Sequence, residues 1–205
     1  MTDKLPDKGI YFLFDPATWR KQPWMNTIQE ILPNISMIQL RSPGMDIITY
    51  RETASELKEI IGDSGIPIII NNRIEVAVSL GLNGIHLGAG DMPVGEARKI
   101  FKGIIGASRH TPSGAKEAEA AGADYIGCGP VFPTRTKLLD RPVIGIDGFI
   151  KVKESVSIPV IPIGGIDTEN VNRLAGISGV LAVSAAINLS ENPGLITEKL
   201  NSNRL

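Results

Sequence analysis

The chain has 205 residues, 42% of them hydrophobic, a formal net charge of -1 at pH 7 and a mean hydropathy of +0.08. This size and composition fit one globular domain or two small ones and exclude a disordered chain, while the near-neutral charge excludes bulk attraction to nucleic acid or an anionic membrane. No apolar run approaches a membrane span, residues 1–8 lack the apolar core of a signal peptide, and Cys128 is the one cysteine, so the expectation is a cytoplasmic protein with no internal disulfide.

Short apolar runs alternate with amphipathic stretches along the chain. A first run at 10–14 is followed by a weak helical pattern over 18–32, interrupted by Pro23. The run at 35–40 leads to a helix over 50–61, with Ala54, Leu57, Ile60 and Ile61 on one face. The run at 66–70 precedes a short helix over 74–80, and 84–87 precedes one over 93–101 with a proline in its first turn. The run at 103–107 precedes a helix over 111–121, capped at Thr111, Pro112 and Ser113. The run at 124–127 leads into a long connection over 134–150, expected to contain a mobile loop. Runs at 160–163 and 179–183 complete eight, followed by helical patterns over 168–174 and 193–200.

The unalternating, β-branched character of these runs fits strands buried on both faces of a parallel sheet. Pro67 and Pro162 sit inside two runs and argue against regular strand there. Eight strands alternating with helices predict a single (β/α)8 TIM barrel near the lower end of its size range. An open doubly wound sheet is the alternative. No linker or composition break divides residues 1–205, so one domain is expected.

In such a barrel the chemistry sits at the C-terminal ends of the strands, and polar residues follow run after run. Gln39 and Arg41 follow the second run; Asn71, Asn72 and Arg73 the third; His86 and Asp91 the fourth; Ser108, Arg109 and His110 the fifth. The sixth opens into Gly127-Cys128-Gly129-Pro130-Val131-Phe132-Pro133-Thr134-Arg135-Thr136-Lys137. There two glycines allow close backbone approach, and two hydroxyls and an ammonium suit a phosphate or diphosphate. Gly164-Gly165 and Ser184 follow the last two runs, where barrels often hold phosphate on backbone N–H groups. Plainer roles compete: a polar surface loop for 127–137, a tight turn for the glycine pair, and a helix cap for Ser184. Asp91 is either a Mg²⁺ ligand, sharing the ion with diphosphate oxygens and waters, or the cap of the helix near Pro93. His86 reads as a packed core histidine, His110 as the better acid/base candidate, and Cys128 as a small packing residue.

Taken together, these blocks resemble the thiamine-phosphate synthase superfamily, which also contains the thiazole tautomerases. The resemblance rests on Gln39-Leu40-Arg41, Ile70-Asn71-Asn72-Arg73, Gly84-Ile85-His86-Leu87-Gly88 with Asp91-Met92-Pro93, and Gly106-Ala107-Ser108-Arg109-His110. It continues through the block from Ala123 to Lys137, Ile163-Gly164-Gly165-Ile166 and Val183-Ser184-Ala185. It implies a (β/α)8 barrel that joins hydroxymethylpyrimidine diphosphate to thiazole phosphate, with Mg²⁺ assisting departure of diphosphate. By position, Gln39, Arg41 and Asn71 would hold the pyrimidine diphosphate and Asp91 the Mg²⁺. Ser108 would contact the pyrimidine diphosphate and Lys137 its phosphates. Thr134 and Thr136 would contact thiazole phosphate, with Gly165 and Ser184 on its phosphate group. The implied partners are small phosphate and diphosphate substrates, with no nucleic acid or membrane; an oligomer is left open.

Three departures fall on one half of the implied site. Pro43 stands where the family has a lysine, Asn72 where it has a metal-binding aspartate, and Ala89-Gly90 where it has Gln-Glu. All three thin the metal and diphosphate half and leave the thiazole phosphate half intact. Two alternatives to the synthase follow. One is a thiazole tautomerase, which would use a histidine matching His110 and needs no metal. The other is a non-catalytic thiazole phosphate binder. The retained block Pro133-Thr134-Arg135-Thr136-Lys137 leans toward the synthase.

Overall fold

The protein is described by a computed structural model over residues 4–19, 23–134 and 142–203. Its elements in chain order are β1 (Gly9–Phe14), α1 (Trp24–Ile31), β2 (Met37–Leu40), α2 (Ile47–Ile61), β3 (Ile68–Asn71), α3 (Ile74–Leu80), β4 (Gly84–Leu87) and α4 (Val94–Ile100). They continue with β5 (Ile104–Ser108), α5 (Pro112–Ala120), β6 (Tyr125–Cys128), α6 (Gly145–Lys153), β7 (Val160–Pro162), a 3-10 turn (Val171–Leu174), β8 (Val180–Val183), α7 (Ala185–Asn188) and α8 (Pro193–Asn203). A further 3-10 turn, Leu32–Asn34, joins α1 to the approach of β2.

All strand pairs are parallel, in the order β7-β6-β5-β4-β3-β2-β1-β8. The two edges meet through an isolated bridge between Ile163 and Ala182. Eight strands thus form a nearly closed (β/α)8 barrel, and the open doubly wound alternative is excluded. Pro162 ends β7, where its missing N–H interrupts the ladder. Pro67 lies just outside β3, where its carbonyl still accepts from Ile38 N.

The unbroken apolar runs split between two cores by period-two alternation. Tyr11, Leu13, Met37, Ile69, Ile104, Tyr125, Ile161, Val180 and Ala182 fill the barrel interior. Their neighbours, among them Phe12, Ile38, Ile70, Ile85 and Leu181, pack outward against the helices. Small inner positions make room for large ones: a Cβ on Gly106 would fall 2.0 Å from Tyr125 Cζ, and one on Gly84 2.6 Å from Ile69 Cδ1.

Local chemistry sets the helix starts. Thr111 accepts from Gly114 N at α5 as expected, and Asp46 accepts from Ile48 N and Thr49 N, which starts α2 ahead of the apolar face. Pro23 precedes α1 rather than breaking it. The 168–174 pattern forms only a short 3-10 turn. The long connection is not all loop, because α6 begins at Gly145 and buries Phe149 and Val152; residues 135–141, on which the mobile-loop expectation falls, lie outside the described residues. At the opposite end from the strand exits, the Arg98 guanidinium gathers the carbonyls of Gly103 and Gly122 and the Asp124 carboxylate, tying α4 to β5 and β6. Among the described residues no helix is long and apolar enough to cross a membrane.

Candidate active site

The polar residues that follow the runs extend the interior-facing rows at the C-terminal ends of the strands. Gln39 lies two residues beyond Met37 on β2, Asn71 two beyond Ile69 on β3, and Ser108 four beyond Ile104 on β5, so each continues an inward row. Gln39 is 3% exposed and its amide donates to Asn71 Oδ1 at 3.1 Å. On β4, His86 sits opposite Asn71 in register and its Nε2 lies 2.8 Å from Ser108 Oγ. Arg41 leaves β2 with its N–H on Phe14 O, while Ser184 leaves β8 on the other side of β1. These positions share one mouth.

Burial holds the His86 imidazole down at about 4, opposed by the Asp91 carboxylate and reinforced by the Arg109 and Arg41 guanidiniums. The histidine is therefore neutral at physiological pH, and those three charged groups act on one ring. Burial likewise pushes the Cys128 thiol up to about 12, as befits a packing residue.

Asn72 and Asp91 meet across two strand exits. Asn72 has φ 49°, in the left-handed region that asparagine tolerates, and its Nδ2 donates to Asp91 Oδ1 at 3.1 Å. Asp91 Oδ2 accepts from Gly88 N at 2.7 Å. The alternative role for Asp91 fails: α4 starts after Pro93 with no side-chain cap. Among the described residues no group of three His, Cys, Asp or Glu side chains could hold a metal, so any ion here would depend on Asp91, an amide and the substrate.

The opposite half of the mouth is built from the exits of β6, β7 and β8. Gly164 and Gly165 have φ 94° and 69°, conformations that glycine alone adopts readily. A Cβ on Gly165 would lie 2.4 Å from Pro133 O, so the segment leading to Thr134 rests directly on the glycine turn. Asn170 secures that turn by donating to Gly165 O at 2.7 Å. Ser184 precedes α7 without capping it; its hydroxyl instead accepts from Asn188 Nδ2.

Sequence reasoning passed over three residues of this site: Asn188, Tyr125 and Tyr11. Asn188, 1% exposed, also donates to Leu13 O and accepts from Asp15 N, tying β8 to the exit of β1. Tyr125 and Tyr11 read only as strand apolars, yet the Tyr125 hydroxyl meets both His86 Nδ1 and the Tyr11 hydroxyl. Arg73 lies over the Tyr50 ring and donates to Met45 O, on the segment that carries Pro43; Arg109 Nη1 donates to Ser108 O. His110 is half-buried just beyond β5. Thr136 and Lys137 lie outside the described residues.

The family model described as "Thiamine monophosphate synthase" matches residues 10–187. The thiamine-phosphate synthase of Clostridium acetobutylicum is 34% identical over 186 residues, covering 88% of each chain. That of a Clostridium botulinum strain is 39% identical over 183 residues, covering 87% of this chain and 89% of its own. The thiamine phosphate pyrophosphorylase structure from Pyrococcus furiosus superposes with a TM-score of 0.86 at 31% identity, over 97% of this chain and 96% of that one. Strand exits converging on one polar mouth, and a match running through nearly all of them, lead to one conclusion: the chain belongs to the thiamine monophosphate synthase family.

Proposed function

We propose that this protein joins hydroxymethylpyrimidine diphosphate to thiazole phosphate, forming thiamine phosphate and releasing diphosphate. The bond between the pyrimidine methylene carbon and its bridging oxygen breaks, and the leaving diphosphate takes the electron pair. The thiazole nitrogen lone pair then forms the new bond to that carbon. No enzyme nucleophile is required; the protein aligns two substrates and stabilises a departing anion.

The observation that carries this reading is the convergence of two differently equipped half-sites on one mouth. Gln39, Arg41, Asn71 and Ser108 line one side, where they would hold the pyrimidine diphosphate. Thr134, Gly165 and Ser184 line the other, suited to thiazole phosphate. Thr136 and Lys137 follow Thr134 in sequence; Thr136 is assigned to thiazole phosphate and Lys137 to the phosphates of the pyrimidine diphosphate. Asp91 and Asn72 fit a Mg²⁺ ion in a minimal way, since a carboxylate oxygen and an amide that can turn its oxygen inward already meet at 3.1 Å. When bound, that ion would neutralise the leaving diphosphate. Arg73, tied to the segment carrying Pro43, supplies a cation near the place of the missing lysine.

The test is incubation of the purified protein with both substrates and Mg²⁺. Thiamine phosphate formed with diphosphate release is expected. Isomerisation of a thiazole carboxylate phosphate instead, abolished by His110→Ala, would establish a tautomerase. Tight thiazole phosphate binding with neither reaction would establish a binder.

A further inference from the structure

A file of four polar side chains runs from the apolar heart of the barrel to its mouth. Tyr11 Oη lies 2.8 Å from Tyr125 Oη, Tyr125 Oη 2.9 Å from His86 Nδ1, and His86 Nε2 2.8 Å from Ser108 Oγ. Tyr11 is 2% exposed, Tyr125 0% and His86 9%, whereas Ser108 is half-buried at the exit of β5. The interior is shaped around the file. Gly106 leaves the volume that the Tyr125 ring occupies, and a Cβ on Gly127 would come within 3.1 Å of His86 Cε1.

Counting hydrogens gives the file a direction. Burial keeps both phenols protonated and the imidazole neutral, so each of the four groups carries one polar hydrogen. Three bonds use three of them, and the fourth must point off one end. At the inner end it would be aimed into the otherwise apolar interior cluster to which both tyrosines belong. There, among the described residues, Tyr125 is the one hydrogen-bond partner of the Tyr11 hydroxyl. An unmet buried hydroxyl hydrogen disfavours that arrangement by about tenfold or more. At the outer end the spare hydrogen faces the mouth. The satisfied order is Tyr11 donating to Tyr125, Tyr125 to His86 Nδ1, and His86 Nε2–H to Ser108.

We propose that this file locks His86 as its Nε2–H tautomer, so that Ser108 accepts from His86 and directs its own proton into the mouth. Ser108 is thereby committed as a donor, and the atom it meets on the pyrimidine substrate is an acceptor, a ring nitrogen or a phosphate oxygen. Tyr125 and His86 are positioning residues that act through Ser108. The identity of the substrate rests on the transferase reading; the tautomer does not.

The chain has two histidines, so ¹⁵N imidazole resonances are assigned with the His110→Gln variant alone. His86 is expected to show a protonated Nε2 and a bare Nδ1, unchanged between about pH 5.5 and pH 8. Tyr11→Phe should leave that pattern intact, because Tyr125 still donates to Nδ1. Tyr125→Phe should raise the Nδ1–H form to a measurable fraction and lower kcat about tenfold, with KM for thiazole phosphate unchanged. His86→Gln, which places an amide N–H near Nε2, should retain more activity than His86→Ala. A wild-type His86 protonated on Nδ1, or a Tyr11→Phe variant that switches tautomer, overturns the proposal; both readouts survive even if Tyr125→Phe fails to fold. Wild-type protein that shows the Nε2–H form but turns nothing over supports the file and overturns the transferase reading alone.

Discussion

Asn72 places a neutral amide 3.1 Å from the Asp91 carboxylate. Converting it to a carboxylate would set two like charges side by side, unfavourable without a cation and favourable with one. Asn72→Asp should therefore lower the Mg²⁺ concentration for half-maximal activity by about tenfold, and reduce stability in metal-free buffer; a Mg²⁺ titration and a melting curve with chelator check both. His86 gives a second residue-scale prediction. Its folded value of about 4 lies below the unfolded value of about 6.5. Between those limits the unfolded chain binds the extra proton, so stability falls as pH drops through the window, by about 3 kcal/mol in all. Above the unfolded value His86 has no such effect. Urea unfolding at steps from neutral pH toward pH 4 should show this slope in the wild type and lose it in His86→Gln. That His86 is buried was legible from its place in an apolar run. Its bond to Ser108 was not, because a single histidine carries no spacing that points to a partner on the next strand, and the hydroxyls of Tyr11 and Tyr125 vanish into a hydrophobic pattern.

Asn188 shows what short elements conceal. The four residues of α7 are too few for a helical period to emerge, yet this helix holds Asn188 where it bonds Leu13 O, Asp15 N and Ser184 Oγ at once. Asn188→Ala leaves buried backbone groups unmet and should destabilise the fold by about 2 kcal/mol. It should also raise KM for thiazole phosphate more than KM for the pyrimidine diphosphate, since Ser184 loses its anchor; denaturant unfolding and separate substrate titrations would show the two effects. The other unread element, α6, carries Gly145 and Gly148 near its start and follows Pro142, residues that mark a loop on local chemistry alone. Burial of Phe149 and Val152 overrides that local preference. By contrast, α3 and β4 were legible to the residue, each bounded by turn chemistry at both ends.

Across the whole molecule, the barrel was legible because one signal repeats eight times: an apolar run, a polar exit, a helical stretch. A run buried on both faces cannot show which alternate residues face the axis, and strand pairing resolves this by placing Met37, Ile69 and Tyr125 inside. The division of labour then follows the axis. The Arg98 fan stitches the N-terminal end, while the polar residues proposed to recognise substrate gather at the C-terminal end, where barrels place their chemistry. A cleft of about 400 Å³ beside Lys58, Ile66 and Asn83 opens at the N-terminal end, away from those polar exits. The decisive measurement is a single turnover with enzyme in excess over both substrates in the presence of Mg²⁺. Thiamine phosphate and diphosphate are expected to appear together at one rate, in equal amounts. Diphosphate released without the joined product, or neither formed, would contradict the transferase reading.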